Sequence, residues 1–361
     1  MSIYISMSLL SLIFSMLFDY SKDKDRYAVW LRRVVFVLAS MPIILVAGLR
    51  YDVGTDYINI YWNYFLALLG GGDKVSGTTV ELDIGLYFFV KVLQIFTNKP
   101  ESFFFVSSII IYFAITSYIR KSEKMISVSL MLFVTSGLFF TSLNVVRQFF
   151  ALSIVLFGFG LAKKRKFIKY LLICIIAACF HLSALLLVPL YFFFSIEINR
   201  KKIVFVLCVF VASMPVVRFI FEQLILHTRY KYYLTSKLYV VDYDLAGTIY
   251  ALMITTLFLL LYKNIKKGPQ FNFCTLNLLA YDCIIIMSYF IPLANRISLF
   301  FKFFVFVNMV PMLFEAIPQK GKRRIIQAAT YIILIGLTLY LYFYRGNSDV
   351  FPYISIWERG V

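Results

Sequence analysis

Apolar runs of membrane-spanning length recur along the whole chain, and short polar or basic clusters separate them. They cover 2–18, 34–49, 102–119, 125–141, 149–162, 203–221, 246–262, 274–293, 299–317 and 325–344. A helix needs about 20 mostly apolar residues to cross a bilayer. The pattern therefore predicts an all-α polytopic membrane protein with about ten transmembrane helices. Segment 2–18 has no basic residue before it and no small-residue cleavage site after it, so it reads as a retained helix.

Three stretches break the pattern. In 81–97, Asp83, Tyr87, Lys91 and Gln94 share one helical face, and Leu82, Leu86, Phe89 and Leu93 share the opposite one. That is an amphipathic interfacial helix. In 56–69 an apolar face of Trp62, Phe65, Leu66 and Leu69 opposes Asp56, Asn59 and Asn63, with Tyr57, Tyr61 and Tyr64 beside the polar stripe. The Gly70-Gly71-Gly72-Asp73 run and Ser76-Gly77-Thr78-Thr79 link the two helices, so 50–101 reads as one long external loop. The third stretch, 170–195, lies between two basic clusters. Two helices of about 12 residues, each about 18 Å long, would enter and leave on one side with His181 at the apex of a re-entrant hairpin. One long tilted helix with His181 mid-span is the competing expectation.

Composition sharpens this picture. The chain is 61% hydrophobic and 15% charged. Its net charge of +18 is not spread as a nucleic-acid footprint would be. Six loop clusters (22–33, 120–124, 163–169, 200–202, 263–267, 320–324) hold 23 of the 36 Lys and Arg residues, against 6 nearby acidic ones. If all six face the cytoplasm, the positive-inside bias accounts for nearly the whole charge, and both termini lie outside. The five cysteines sit in or beside apolar segments without a C-x-x-C pair, so neither a disulfide framework nor a metal site is expected. No domain boundary and no repeat is visible over 1–361, and no P-loop, H-E-x-x-H or nucleophile elbow occurs.

Polar residues inside or at the outer ends of the spans are the candidates for chemistry. Arg50 opens the run Gly48-Leu49-Arg50-Tyr51-Asp52-Val53-Gly54-Thr55-Asp56-Tyr57, where Gly54 permits a tight turn and Thr55 or Asp56 can cap the next helix. Asn144, Arg147, Gln148 and Ala151 fall on one face of a continuous helix. The planar fork of Arg147 suits phosphate oxygens, and a salt bridge to Asp282 or Glu81 is the plainer alternative. His181 is one of two histidines; His227 reads as surface. Arg296 marks an external span end, and Lys302 reads as an interfacial anchor like it. Asp282 reads as a bundle hydrogen-bonding group.

The segments A-G-L-R-Y-D-V-G-T-D-Y (Ala47 to Tyr57), E-L-D-I-G-L-Y (Glu81 to Tyr87), V-R-Q-F-F-A (Val146 to Ala151), F-H-L-S-A-L-L-L-V-P-L-Y (Phe180 to Tyr191), N-R-I (Asn295 to Ile297) and F-P-Y (Phe351 to Tyr353) occur in that order. In this set the chain resembles the EpsG/Wzy family of membrane polysaccharide polymerases. The resemblance implies a glycosyltransferase of O-antigen or capsule assembly, in the bacterial inner membrane with its site facing outward. Such an enzyme moves an undecaprenyl-pyrophosphate-linked glycan en bloc onto the next lipid-linked repeat unit, with the bilayer and a chain-length regulator as partners. No cofactor, metal or nucleic acid is expected. The departing pyrophosphate would be held by Arg50, Arg147, Gln148 and Arg296. The acceptor hydroxyl would be deprotonated by Asp56, with His181 and Glu81 as further catalytic candidates, and Tyr57 and Tyr61 would stack on sugar. A flippase, which would more often show inverted repeats, and a membrane acyltransferase acting on the glycan are the alternatives.

Overall fold

The apolar runs fold as helices in a computed structural model that describes residues 1–21, 26–72, 83–122, 125–226, 244–291 and 294–358. In chain order these are α1 (Ser2–Tyr20), α2 (Arg26–Gly48), a π-helical turn Tyr57–Trp62 leading into α3 (Asn63–Leu69), α4 (Ile84–Phe96), α5 (Glu101–Ser122), α6 (Ile126–Thr135), α7 (Leu138–Asn144) and α8 (Val146–Lys163). Then come α9 (Phe167–Ala178), a 3-10 helix Leu182–Leu187, α10 (Leu190–Phe193), α11 (Arg200–Leu226), α12 (Leu245–Leu261), α13 (Pro269–Ser288), α14 (Ala294–Phe304), a π turn Val305–Met309, α15 (Val310–Glu315) and α16 (Lys320–Thr338). A last π-helical stretch, Leu339–Tyr344, prolongs α16.

Eight of the described helices are long and apolar enough to cross a membrane. The α6–α7 pair, bent by 58°, makes a ninth if it is one span. Among the described residues α12, at 17 residues, falls just outside this set, so the expected count of about ten is not confirmed. The protein is an all-α polytopic membrane protein.

Two compact units result: Met1–Tyr191 with Ala328–Val361, and Phe192–Gln327. In the first, α1, α2, α5 and α8 pack side by side around buried rings including Phe103, Phe104, Phe133, Phe139 and Phe149. The Asp19 carboxylate at the end of α1 accepts from the amides of Ile126 (2.8 Å) and Ser127 (2.9 Å), so α6 is capped by a residue over 100 positions away. Thr338 of α16 donates to the Thr135 carbonyl at 2.7 Å. In the second unit, Thr255 donates to Asp282 at 2.6 Å, the bundle hydrogen bond expected of that carboxylate.

Stretch 165–191 forms a helical hairpin within the first unit. α9 ends at Ala178, and His181 takes an extended conformation (φ −161°, ψ 112°) that stops the helix. The Tyr170 hydroxyl donates to the Leu187 carbonyl (2.8 Å) and Tyr191 to that of Arg165 (3.1 Å), so the two arms run antiparallel. The hairpin climbs along α8. Ile173 lies against Gly158, and the Phe180 ring stacks on Phe150 at 4.6 Å. Phe150 is 13 residues from Lys163, so the apex meets α8 about 20 Å along its axis.

The two loop helices form, with one face partly reassigned. Across the π turn and α3 the buried set is Tyr57, Tyr61, Trp62, Tyr64, Phe65 and Leu68, so Trp62 and Phe65 face inward as expected while Leu66 and Leu69 are exposed. The apolar face inferred from the sequence is thus rotated, because an ordinary helical wheel does not count the extra residue of a π turn. On α4, Leu86 and Leu93 face inward as expected. Its polar residues do not face solvent: Lys91 Nζ donates to the Leu68 carbonyl (3.0 Å) and Gln94 Nε2 to that of Phe65 (2.8 Å), satisfying the last turn of α3. Ile84, Phe88, Val92 and Ile95 are left as an exposed apolar stripe, which suits a helix lying against lipid.

Candidate functional site

The site is built at the joint between α7 and α8. The sequence alone makes 142–162 continuous, yet Val145 (φ −81°, ψ 52°) breaks it, and Asn144 and Arg147 lie on different helices. One tyrosine bridges the break. The Tyr61 hydroxyl donates to the Asn144 carbonyl (3.5 Å) and accepts from the Arg147 amide (3.3 Å). Burial pushes its phenol above the usual range, while Arg147 pulls it down and Asp56 pushes it up, so both charges lie near that oxygen.

Asn144 gathers the surrounding backbone. Its Oδ1 accepts from Thr55 Oγ1 (3.2 Å) and from the Asp56 amide (3.4 Å), and its Nδ2 donates to the Ser348 carbonyl (2.8 Å). Neither Thr55 nor Asp56 caps the following helix through its side chain, contrary to the sequence expectation. Gly54 (φ +108°) is required here twice over. The left-handed backbone disfavours a side chain, and a Cβ would lie 2.7 Å from Asn144 Oδ1. From the other side a strap after the last helix closes the loop. Tyr51 donates to Ile354 (2.8 Å), Ile356 to Leu49 (2.9 Å) and Gly54 to Asp349 (2.9 Å), all through backbone amides and carbonyls.

Arg50 lies beneath this loop and is 2% exposed. Its Nη1 donates to the Ala47 carbonyl (2.8 Å) and its Nη2 to that of Leu143 (2.9 Å), the latter near the end of α7. Its guanidinium sits over Phe104 (5.3 Å) and Tyr57 (5.8 Å), and burial holds its pKa below the usual guanidinium value. The geometry thus spends on carbonyls the fork expected to hold pyrophosphate. Tyr57 and Tyr61, expected to stack on sugar, are equally enclosed. Tyr57 stacks on Phe104 at 3.7 Å and Tyr61 on Phe103 at 5.1 Å, so these ring faces are occupied by protein.

Arg147 is different. It is half-buried, and its Nη1 pairs with Asp83 Oδ2 at 3.3 Å. The sequence pointed to Asp282 or Glu81 for such a pair; Glu81 lies outside the described residues. Asp83 stands at the start of α4, whose Gly85 amide donates to the Cys179 carbonyl at 2.8 Å. A Cβ at Gly85 would lie 2.8 Å from the Phe180 ring, so the helix start fits against the hairpin apex only as glycine. His181 follows directly and is half-buried. Three pieces of chain thus meet here: the loop after α2, the start of α4 with Asp83, and the hairpin apex, all beside the first turn of α8.

Of the remaining candidates, Gln148 is buried beside Arg147, and Asp56 is half-buried. Arg296 is exposed on the first turns of α14 in the second unit. Lys302, expected as an interfacial anchor, is buried. His227 lies outside the described residues. Sequence reasoning missed Asp83 as the partner of Arg147. The available signal was a carboxylate opening an amphipathic helix in a loop otherwise facing an arginine-bearing helix end. Among the described residues no three His, Cys, Asp or Glu side chains group as a metal site.

The model of the EpsG family matches residues 33–355, nearly the whole chain. Comparison with curated proteins and with solved structures returns no match. The matched region holds the loop after α2, the α7–α8 joint, the hairpin apex and most of the strap, so the family assignment and the built site coincide: the chain belongs to the EpsG family of membrane polysaccharide polymerases.

Proposed function

We propose that this protein joins lipid-linked glycan repeat units, transferring a polyprenyl-pyrophosphate-linked chain en bloc onto the next unit at the outer face of the bacterial inner membrane. The observation that carries the reading is the half-buried Arg147 paired with Asp83 at the start of a helix that packs against the hairpin apex just before His181. With Lys163 on the cytoplasmic side, as the basic clusters indicate, the apex stands about 20 Å up, roughly 10 Å short of the outer edge of the hydrocarbon. That depth suits the pyrophosphate of a membrane-anchored donor.

In the reaction an acceptor hydroxyl oxygen bonds to the anomeric carbon of the donor chain. The bond from that carbon to the pyrophosphate oxygen breaks, and the hydroxyl proton passes to a base. Arg147, with Gln148 beside it, stabilises the charge growing on the leaving pyrophosphate. His181 donates to the same phosphate group, and Asp56, beside the Tyr61 hydroxyl on the loop, takes the proton. Arg50 acts through others: it fixes the end of α7 and so the place of Arg147. Arg296, exposed at the start of α14, is a further proposed substrate-binding cation, and a chain-length regulator is a proposed partner.

The test is genetic and biochemical. Deletion should leave lipid-linked single units and no polymer ladder on glycolipid electrophoresis. Loss of every unit from the outer face would point to a flippase, and an intact ladder to an enzyme that decorates the glycan. With purified protein and synthetic lipid-linked units, Asp56→Asn should cut turnover by about 10²–10⁴-fold. Near-normal turnover in Asp56→Asn together with a dead His181→Gln would exchange the two roles.

A further inference from the structure

The first unit holds a cavity of about 230 Å³ that the site above does not use. It lies between α1, the bent α6–α7 pair, and α16 with its π-helical extension, all within the one compact unit. Leu9, Met131, Val134, Ile335 and Leu339 give it apolar walls. Four hydroxyls also line it, and each is already spent on a backbone carbonyl. Ser8 donates to Tyr4 (2.7 Å), Thr135 to Met131 (2.8 Å), Thr338 to Thr135 (2.7 Å) and Tyr4 to Val350 (2.7 Å). A buried water needs about three polar partners, so this cavity rejects water and suits hydrocarbon.

Its shape is that of a slot. Ile335 and Phe343 line it eight residues apart, about 12 Å along the helix. Ile5, Leu9 and Ile335 at its edge are exposed, so it opens sideways from helices that are themselves long and apolar enough to cross a membrane. One end leads to the functional site. There the rings of Tyr4, Phe140 and Phe343 meet, with Tyr4 at 5.1 Å from Phe140 and 5.8 Å from Phe343. The Tyr4 hydroxyl reaches the Val350 carbonyl, which belongs to the strap. Phe140 stands one turn before Asn144 on the same face of α7, and Asn144 holds both the Asp56 amide and the Ser348 carbonyl. Slot and site are therefore continuous along α7 and meet at the strap.

We propose that this slot takes the polyprenyl chain of the lipid-linked substrate. This rests on the polymerase reading, which puts the pyrophosphate of that substrate beside the α7–α8 joint. A phospholipid chain is the other hydrocarbon at this depth, and two features favour the prenyl chain. The slot ends one helical turn from the residue that holds the functional loop. At that end the three rings and the strap stand over it, so a chain enters from the side and not straight down from its own head group. A polyprenyl chain is far longer than half a bilayer is thick, so it can leave the joint, round the rings and lie in the slot.

The test uses the purified full-length protein in detergent and two photoreactive lipids, a diazirine-tailed geranylgeranyl pyrophosphate and a diazirine-tailed phosphatidylglycerol. The prenyl probe should label peptides carrying Leu9 and Ile335. Unlabelled undecaprenyl pyrophosphate should remove that label, and excess phosphatidylglycerol should not. Ser8→Phe fills the slot and breaks only a hydrogen bond inside α1. It should melt like the native protein and bind the prenyl probe about tenfold more weakly. In turnover of lipid-linked units it should raise KM by a similar factor and leave kcat near native. Leu9→Trp, from the exposed edge, repeats the test should Ser8→Phe fail to fold. Equal labelling of the slot by the phosphatidylglycerol probe overturns the proposal, and so does native prenyl binding in the filled variants. A fall in kcat at unchanged KM overturns it too. An unlabelled slot in a protein that makes polymer removes the slot and leaves the polymerase reading standing. A slot labelled by the prenyl probe, in membranes that make no polymer, keeps the prenyl site and removes that reading.

Discussion

Arg50 and Arg147 stand at the same end of the first unit, beside the same α7–α8 joint, and the structure uses them in opposite ways. Arg50 is sealed in, with two arms on the Ala47 and Leu143 carbonyls and aromatic rings against its face. Arg147 is half-buried, and its guanidinium pairs with the Asp83 carboxylate at 3.3 Å. Identical side chains thus make a brace and a candidate ligand. What separates them is which groups the surrounding backbone leaves unsatisfied. The broken end of α7 presents carbonyls that need donors, and Arg50 supplies one. In the first turn of α8 the Arg147 amide donates to the Tyr61 hydroxyl, and the Arg147 side chain pairs with a carboxylate and not with backbone carbonyls of a helix end.

The comparison can be broken by measurement. Arg147→Ala should lower polymer formation by about 10²–10³-fold, the usual worth of a donor aimed at developing charge. Its melting temperature should stay close to native, and Arg147→Lys should recover little because the fork is lost. A native ladder in Arg147→Ala would remove the anion role. Arg50→Ala should act on stability instead, costing about 3 kcal/mol through two lost charged hydrogen bonds and the carbonyls they leave unmet. Denaturant unfolding or the amount of folded protein in membranes reads this, and an Arg50→Ala protein as stable as native but inactive would turn the brace into a ligand. Gly54→Ala should cost about 1–3 kcal/mol, from a strained φ and a clash with Asn144 Oδ1. The smallest change is expected from Asp83→Asn. A partly exposed ion pair contributes at most about 1 kcal/mol, so stability should hardly move. Turnover should fall several-fold, because the fork is less well aimed. A large loss of stability in Asp83→Asn would mark that pair, too, as a brace.

Parts of this arrangement were readable in the sequence. The hairpin at His181 follows from two basic clusters flanking a stretch long enough for two half-spans, and Phe167–Ala178 and Leu182–Phe193 fold as such arms. The inward face of α4, with Leu86 and Leu93, follows from its period. The break at Val145 was not readable, because no glycine or proline marks it; Arg50, Tyr61 and Asn144 stabilise it through contacts across dozens of residues. The strap was invisible for the same reason: the Asn144–Ser348 bond joins positions 204 apart. Tyr57 and Tyr61 looked like a sugar platform because tyrosine at a loop helix is amphipathic. Only the position of Phe103 and Phe104 decides that their faces are filled.

By itself, the sequence determined what depends on local hydropathy and charge. The spans, the amphipathic loop helices and the doubling-back at His181 all follow from the cost of placing charge or unpaired backbone in hydrocarbon, which each segment meets alone. Tertiary structure decided what depends on mutual satisfaction: which arginine is sealed, which carboxylate meets Arg147, and which tyrosine faces are filled. Those outcomes are set by distances between side chains far apart in the chain, and hydrogen bonding and desolvation at such distances change over an ångström or two, a scale that no periodicity along the sequence encodes.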